Sequence, residues 1–204
     1  MNHEQKKGYM QRALEIAHQG EGSVSPNPLV GCILVKKGKI IGEGYHEYYG
    51  GNHAEINALA DAKKRRNNPR GADLFVTLEP CHHTGKTSPC THALVKEGIA
   101  RIFFAMPDPN LLATGGKKFL EENGISVETG ILQKESELMN TFFIHNVTQK
   151  RSFFLGKAAI SADGFLTKKK GSSTVITGKE TNTFFHQWRR RCDGILVGVN
   201  TVLI

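Results

Sequence analysis

Residues 74–98 read LFVTLEPCHHTGKTSPCTHALVKEG, from Leu74 to Gly98. The opening run, Leu74 to Leu78, is apolar apart from Thr77 and predicts a strand buried on both faces. Cys90 to Glu97 predicts a short helix ended by Gly98. A strand that runs through a loop into a helix is the building unit of an α/β sheet. The loop here carries two cysteines, Cys81 just past the strand and Cys90 at the helix start.

Upstream, two apolar runs, Leu29 to Val35 and Ile40 to Tyr45, flank Lys36-Lys37-Gly38-Lys39 and predict a hairpin. Met10, Ala13, Leu14 and Ala17 share one helical face, with Gly20 as the expected C-cap and a polar loop from Glu21 to Pro28. His53 to Lys64 predicts a helix with Ile56, Leu59 and Ala60 on one face, and Ala54, Ala58 and Ala62 favour it. Downstream, a strand (Ile102 to Met106), a helix (Lys117 to Glu122), a strand (Ile125 to Glu128) and a helix (Glu135 to Ile144) continue the alternation. The expected architecture is therefore α/β, a sheet with helices on both faces. The polar stretch Asn146 to Ser152 reads as a linker. Beyond it, Phe153 to Ile160 predicts a strand, Ser161 to Gly164 a turn, Thr183 to Arg191 a helix and Gly194 to Ile204 a strand. A segment this short buries little core by itself, so the second domain is expected to be incomplete.

The chain has 204 residues, four cysteines and a formal charge of +8. Residues 1–150 hold 18 Lys+Arg against 16 Asp+Glu, and residues 151–204 hold 9 against 3. The basic excess thus sits around Lys168–Lys170 and Arg189–Arg191, where it suits a solvated face or a phosphate-bearing ligand. A nearly neutral first domain argues against nucleic acid as its partner. No apolar run of 18 residues occurs and the N-terminus lacks an apolar core, so neither a membrane span nor a signal peptide is expected, and the cytoplasm is the expected location. Four cysteines in such a chain read as thiols or metal ligands rather than a disulfide framework.

One imidazole and two thiols, His53, Cys81 and Cys90, are good zinc ligands, and three of them leave the fourth tetrahedral position for water. Glu55, two residues after His53 in the same helical turn, is placed to reach that water without ligating the metal, the position of a general base. A helix start at Cys90 favours thiolate over thiol. His-x-Glu followed by Pro-Cys and a second Cys is the signature of zinc nucleobase deaminases, with eight residues between the cysteines here instead of two.

Four stretches stand in order: Asn27-Pro28-Leu29-Val30-Gly31-Cys32, His53-Ala54-Glu55, Thr77 through Cys90, and Asp108-Pro109-Asn110. Together they resemble the bacterial bifunctional riboflavin-biosynthesis deaminase/reductases of the cytidine deaminase superfamily. Lys157 to Gly164, Ile176-Thr177-Gly178 and Gly198 to Val202 look like the start of that family's reductase domain. The match departs at His82, Leu111, Ala162 and Val175.

The resemblance implies a cytidine-deaminase-like three-layer αβα sheet, followed by the start of a dihydrofolate-reductase-like α/β domain. It implies a zinc-dependent deaminase domain over residues 1–147, and a linker with the incomplete N-terminal part of an NADPH-dependent reductase domain over 148–204. The implied substrate is 2,5-diamino-6-(5-phosphoribosylamino)pyrimidin-4-one, whose 2-amino group is replaced by oxygen. Carried over by position, His53, Cys81 and Cys90 hold Zn2+ and Glu55 moves the proton. Asn27, Lys86, Thr87, Asp108 and Asn110 line the substrate site. In the second domain Ser173 and Arg189 fall on substrate positions, and Ala159, Val175 and Thr201 on NADPH positions. A homo-oligomer is expected.

Two rival readings remain at this stage: a deaminase of another nucleobase or of tRNA, and a non-catalytic zinc-stabilised binding module. A structural site has no use for Glu55, which weighs against the second. Cys32 reads as a core residue and Cys192 as incidental. His46, His92, His145 and His186 read as surface or packing residues.

Overall fold

The computed structural model describes residues 1–82, 89–110, 113, 115–169 and 174–203, and of Thr201 the backbone alone. The chain divides into two units, Met1–Ser152 and Phe153–Ile204.

The first unit is built on five strands: β1 (Gly31–Lys36), β2 (Lys39–Tyr45), β3 (Asp73–Leu78), β4 (Arg101–Met106) and β5 (Ser126–Thr129). They lie in the order β2-β1-β3-β4-β5. β1 runs antiparallel to β2 and to β3, and β3, β4 and β5 run parallel. Successive side chains of a strand point to opposite faces, and the three central strands use this fully. Cys32, Leu34, Leu74, Val76, Ile102, Phe104 and Met106 enter one core, while Ile33, Val35, Phe75, Phe103 and Ala105 enter the other.

Helices cover both faces. α2 (Ala54–Lys64), α3 (Cys90–Glu97) and α4 (Gly116–Glu122) bring Ala58, Leu94 and Leu120 to the first core. α1 (His3–Ala17) brings Met10, Ala13 and Ile16 to the second. α5 (Gln133–Met139) lies on the α1 side, where its Met139 packs with Leu14 and Ala17, and α6 (Thr141–Gln149) follows. The three-layer αβα arrangement is therefore present.

The contact between α2 and β2 is unusually close. Gly42 and Gly44 share one face of β2. A Cβ on Gly42 would lie 2.5 Å from Ala58 O, and one on Gly44 would collide with Ala58 N and Ala54 O. The helix thus rests its own backbone on the strand, and that contact fixes the level at which α2 begins.

Several elements differ from the expectations. Gly20 is not a C-cap: α1 ends at Ala17, and Gly20 closes a 3-10 turn, His18–Gly20, where a Cβ would stand 2.5 Å from His46 O. Its glycine serves close packing. The helix expected from Glu135 to Ile144 is two helices broken at Asn140. There the buried side chain takes the N–H of Leu29 at 2.8 Å and donates to the Leu29 carbonyl at 3.0 Å, as a neighbouring strand would. The stretch read as a linker from Asn146 continues α6 to Gln149.

In the second unit, α7 (Lys179–Arg189) and α8 (Val199–Leu203) form, and the turn at Ser161–Gly164 closes through Gly164 in the left-handed region. The strands expected at 153–160 and 194–204 are not formed among the described residues. Apolar side chains there face outward, Leu196 with 94% of its surface exposed, so no layer rewards an extended ladder. Val199–Leu203 is helical instead.

The close α2–β2 contact predicts opposite effects for two glycines. Gly44→Ala is expected to destabilise the first unit by about 1–3 kcal/mol through overpacking. Gly8→Ala, in α1 with open space around it, is expected to stabilise it by about 0.5–1 kcal/mol. Urea titration followed by far-ultraviolet circular dichroism measures both.

Candidate metal centre

Two helices and one strand end at the same place. β3 stops at Leu78, and Pro80, which has no N–H for a ladder, sends the chain out of the sheet into Cys81. α2 begins immediately after His53, its extended N-cap residue. α3 begins at Cys90 itself, behind Pro89. The ligand atoms of His53, Cys81 and Cys90 lie within 4.8 Å of one another. His53 Nδ1 is 3.4 Å from Cys81 Sγ and 3.2 Å from Cys90 Sγ, and the Cys90 N–H donates to Cys81 Sγ at 3.4 Å. Both thiols are buried and His53 is half-buried.

This packing sorts the protons. Hydrogen bonding from Cys90, joined by that from His53, outweighs burial and brings the Cys81 thiol down to about 4. Its hydrogen bond with Cys81 holds the His53 imidazolium up to about 9 against burial, with help from the charges of Glu55 and Asp108. Cys90, donor to Cys81, buried, and near Glu55, is pushed well above the ordinary thiol range. Without a metal the neutral-pH cluster is thus imidazolium, thiolate and thiol.

Glu55 sits in the first turn of α2 with 4% of its surface exposed. Burial, then the Cys81 thiolate, raise its carboxyl to about 7, and the His53 charge opposes them. It is poised between its two protonation states near neutrality.

Around the cluster the structure places some of the expected substrate-site residues. Asn27 is half-buried, and its Nδ2 lies 3.0 Å from His46 Nε2. His46 Nδ1 in turn lies 3.0 Å from Asn52 O. An amide NH2 only donates and a carbonyl only accepts, so the His46 ring is neutral with its proton on Nδ1. Burial, which lowers its pKa, agrees. The ring also meets His53 edge-on, centroids 5.7 Å apart. His46 read only as a surface or packing residue; the structure makes it the holder of Asn27. Nothing local in the sequence pairs residues 19 positions apart. The hairpin does so, extended by the His46 N–H to Val30 O bond of 2.9 Å.

Asp108 lies close enough for its charge to act on His53, and its Oδ1 accepts the Asn110 N–H at 2.8 Å. His82, next to Cys81, stacks on Phe119 at 4.3 Å between centroids, with Nδ1 3.1 Å from Thr91 Oγ1. Lys86, Thr87 and Ser173 lie outside the described residues. In the second unit Ala159 is half-buried, Val175 is 85% exposed, and Arg189 is exposed with Nη1 3.0 Å from His186 Nδ1. Thr201 lies in α8.

Comparison with known proteins places this geometry in a family. Residues 3–106 match the cytidine and deoxycytidylate deaminase zinc-binding region, and residues 153–204 match the RibD C-terminal domain. The chain is 44% identical over 196 residues to the riboflavin biosynthesis protein RibD of Actinobacillus pleuropneumoniae, covering 96% of this chain and 51% of that one. It is 49% identical over 136 residues to the diaminohydroxyphosphoribosylamino-pyrimidine deaminase of Buchnera aphidicola, covering 66% of this chain and 90% of that one. The crystal structure of a diaminohydroxyphosphoribosylaminopyrimidine deaminase/5-amino-6-(5-phosphoribosylamino)uracil reductase from Thermotoga maritima superposes with a TM-score of 0.95 at 42% identity. That match covers 98% of this chain and 57% of that one. The chain therefore spans about half the length of its bifunctional relatives. By sequence, by structure and by its His/Cys/Cys centre, it belongs to the RibD riboflavin-biosynthesis family of the zinc-binding cytidine and deoxycytidylate deaminases.

Proposed function

We propose that this chain removes the 2-amino group of 2,5-diamino-6-(5-phosphoribosylamino)pyrimidin-4-one by hydrolysis. Water replaces the amino group at ring carbon 2, giving 5-amino-6-(5-phosphoribosylamino)uracil and ammonia. The observation that carries this reading is the buried carboxyl of Glu55, held beside three convergent soft donors. In this reading residues 1–147 are the deaminase domain, and residues 148–204 are linker and reductase-domain sequence. The protein works in the cytoplasm as a homo-oligomer on a small-molecule substrate. Among the described residues no helix is long and apolar enough to cross a membrane.

His53, Cys81 and Cys90 would hold the zinc. The donor set fits: one imidazole nitrogen and two sulfurs, already gathered, with one sulfur already a thiolate. Bound zinc supplies a Lewis acid that acidifies water toward neutrality. Glu55 takes the proton that water gives up and returns it to the departing amine, and its burial, which favours the protonated carboxyl, suits it to hold that proton between the two transfers. Asn27, oriented by His46, offers an amide to the substrate, and the loop after β4 offers the carboxylate of Asp108 and the amide of Asn110. Lys86 and Thr87 belong to the same proposed substrate site, Lys86 as the cation for the phosphate. In the second unit Ala159, Val175 and Thr201, the positions carried over for NADPH, stand on separate segments, with Val175 85% exposed and no strand formed among the described residues. Arg189 and Ser173 are carried as substrate positions of the reductase half by family position alone.

The assay is ammonia release by the zinc-loaded 204-residue chain from the diaminopyrimidinone substrate, without NADPH. Glu55→Ala is expected to lose turnover by about 100- to 10,000-fold while keeping its zinc. Unchanged turnover would remove Glu55 from the mechanism.

Metal binding should also carry a proton signature. Ligands must be deprotonated, and near neutrality His53 and Cys90 still hold their protons. Zinc binding at pH 7 is therefore expected to release about two protons, and apparent affinity should fall as pH drops. Calorimetry in buffers of different ionisation enthalpy measures the count. In the metal-free protein the sign differs by group. The raised His53 pKa stabilises below about pH 6.5 and that stability fades as pH rises through about 9. The depressed Cys81 pKa stabilises above its ordinary value of 9.0 and that stability is lost as pH falls through about 4.

A further inference from the structure

We infer that Glu79 is a positioning residue that clamps the Asp108–Asn110 loop against the metal centre, an inference that rests on the deaminase reading for what the loop does. Glu79 stands two residues before Cys81, with 8% of its surface exposed. Its N–H donates to Met106 O at 3.0 Å, where β4 ends and the loop begins. Its carboxylate Oε1 accepts the N–H of Lys117 at 3.0 Å, where the loop ends and α4 begins. One residue therefore grips both ends of the segment 107–116. Its neighbour Pro80 completes the closure, because a Cβ on Gly116 would collide with Pro80 O.

Within the loop the Asn110 N–H is held by Asp108, and the Ala113 N–H donates to Asn110 O at 2.8 Å. The described part of the loop is thus braced internally and held at both ends. Asp108 acts on His53 through its charge, so any sliding of the loop changes what faces the metal.

The choice of a carboxylate supports a positioning role over a packing role. Burying a carboxylate against a backbone amide costs desolvation that an apolar side chain would avoid. What the carboxylate adds is a directed acceptor for one N–H at one place. Among the described residues Glu79 hydrogen-bonds to Lys117 and Met106 and not to the cluster's sulfurs or Glu55, so it acts through the loop.

The test uses the zinc-loaded 204-residue chain. Glu79→Gln keeps a side-chain oxygen as acceptor, and Glu79→Ala removes it. Hydrogen exchange read by mass spectrometry, without substrate, is expected to speed up across residues 107–118 in Glu79→Ala. The peptides of β3 and β4 should stay unchanged, and Glu79→Gln should match the parent. In the ammonia assay Glu79→Ala is expected to raise KM about tenfold, with kcat and zinc content held within about threefold.

Unchanged exchange over 107–118, a uniform rise across the sheet, or a Glu79→Gln variant as impaired as Glu79→Ala would each overturn the inference. If Glu79→Ala does not fold, Gly116→Ala serves instead. It keeps Glu79 but must lift the α4 start from Pro80, and it is expected to give the same local exchange signature; a silent Gly116→Ala overturns the clamp. Exchange that behaves as expected in a parent chain that releases no ammonia would sink the deaminase reading and leave the clamp standing.

Discussion

Everything at the proposed functional centre depends on two helices starting at one point beyond the carboxyl end of β3. α2 begins behind His53 and α3 begins at Cys90, and the first N–H groups of α3 go to the turn that carries Cys81: Cys90 N–H to its Sγ and Thr91 N–H to its carbonyl. A buried thiolate is costly to maintain. Here it accepts from the Cys90 N–H and sits beside an imidazolium, so the negative charge is compensated before any metal arrives. The same charge, together with burial, holds the Glu55 carboxyl near neutrality. One electrostatic arrangement thus prepares both the proposed metal site and the proposed proton carrier.

Much of this was legible in the sequence because it is local. Cys90 opens a helix that Gly98 ends, with Gly98 in the left-handed region. His53 and Glu55 share a helical turn, and Leu74–Leu78 is the strand that delivers Cys81. Short periodic elements bounded by proline and glycine declare themselves. Spacing along the chain then leaves few ways to bring one His-x-Glu and two cysteines together.

The rest depended on contacts that no window of sequence contains. His46 and Asn27 meet only because the hairpin pairs, and Asn140 breaks a helix only because Leu29, 111 residues away, needs a partner. Gly20 resembles a cap in one dimension and is a packing glycine in three. The apolar runs of the second unit failed as strand signals for a related reason. A strand is a pairing, and apolar composition cannot supply the neighbour. Among the described residues of that unit, the positions carried over for NADPH therefore lie outside any strand.

The glycine face of β2 has a further consequence for anyone redesigning this protein. Because Gly42 and Gly44 let α2 rest backbone on backbone, the height of Glu55 above the sheet is set by main-chain atoms and not by side chains that could repack. Large parts of the opposite core, around Met10, Ile33 and Phe75, can then be rebuilt for hardiness without moving the level of Glu55. The two glycines themselves belong with the ligands in any map of intolerant positions, although they perform no chemistry. A fitness landscape of this fold would show its sharpest walls at places where there is no side chain at all.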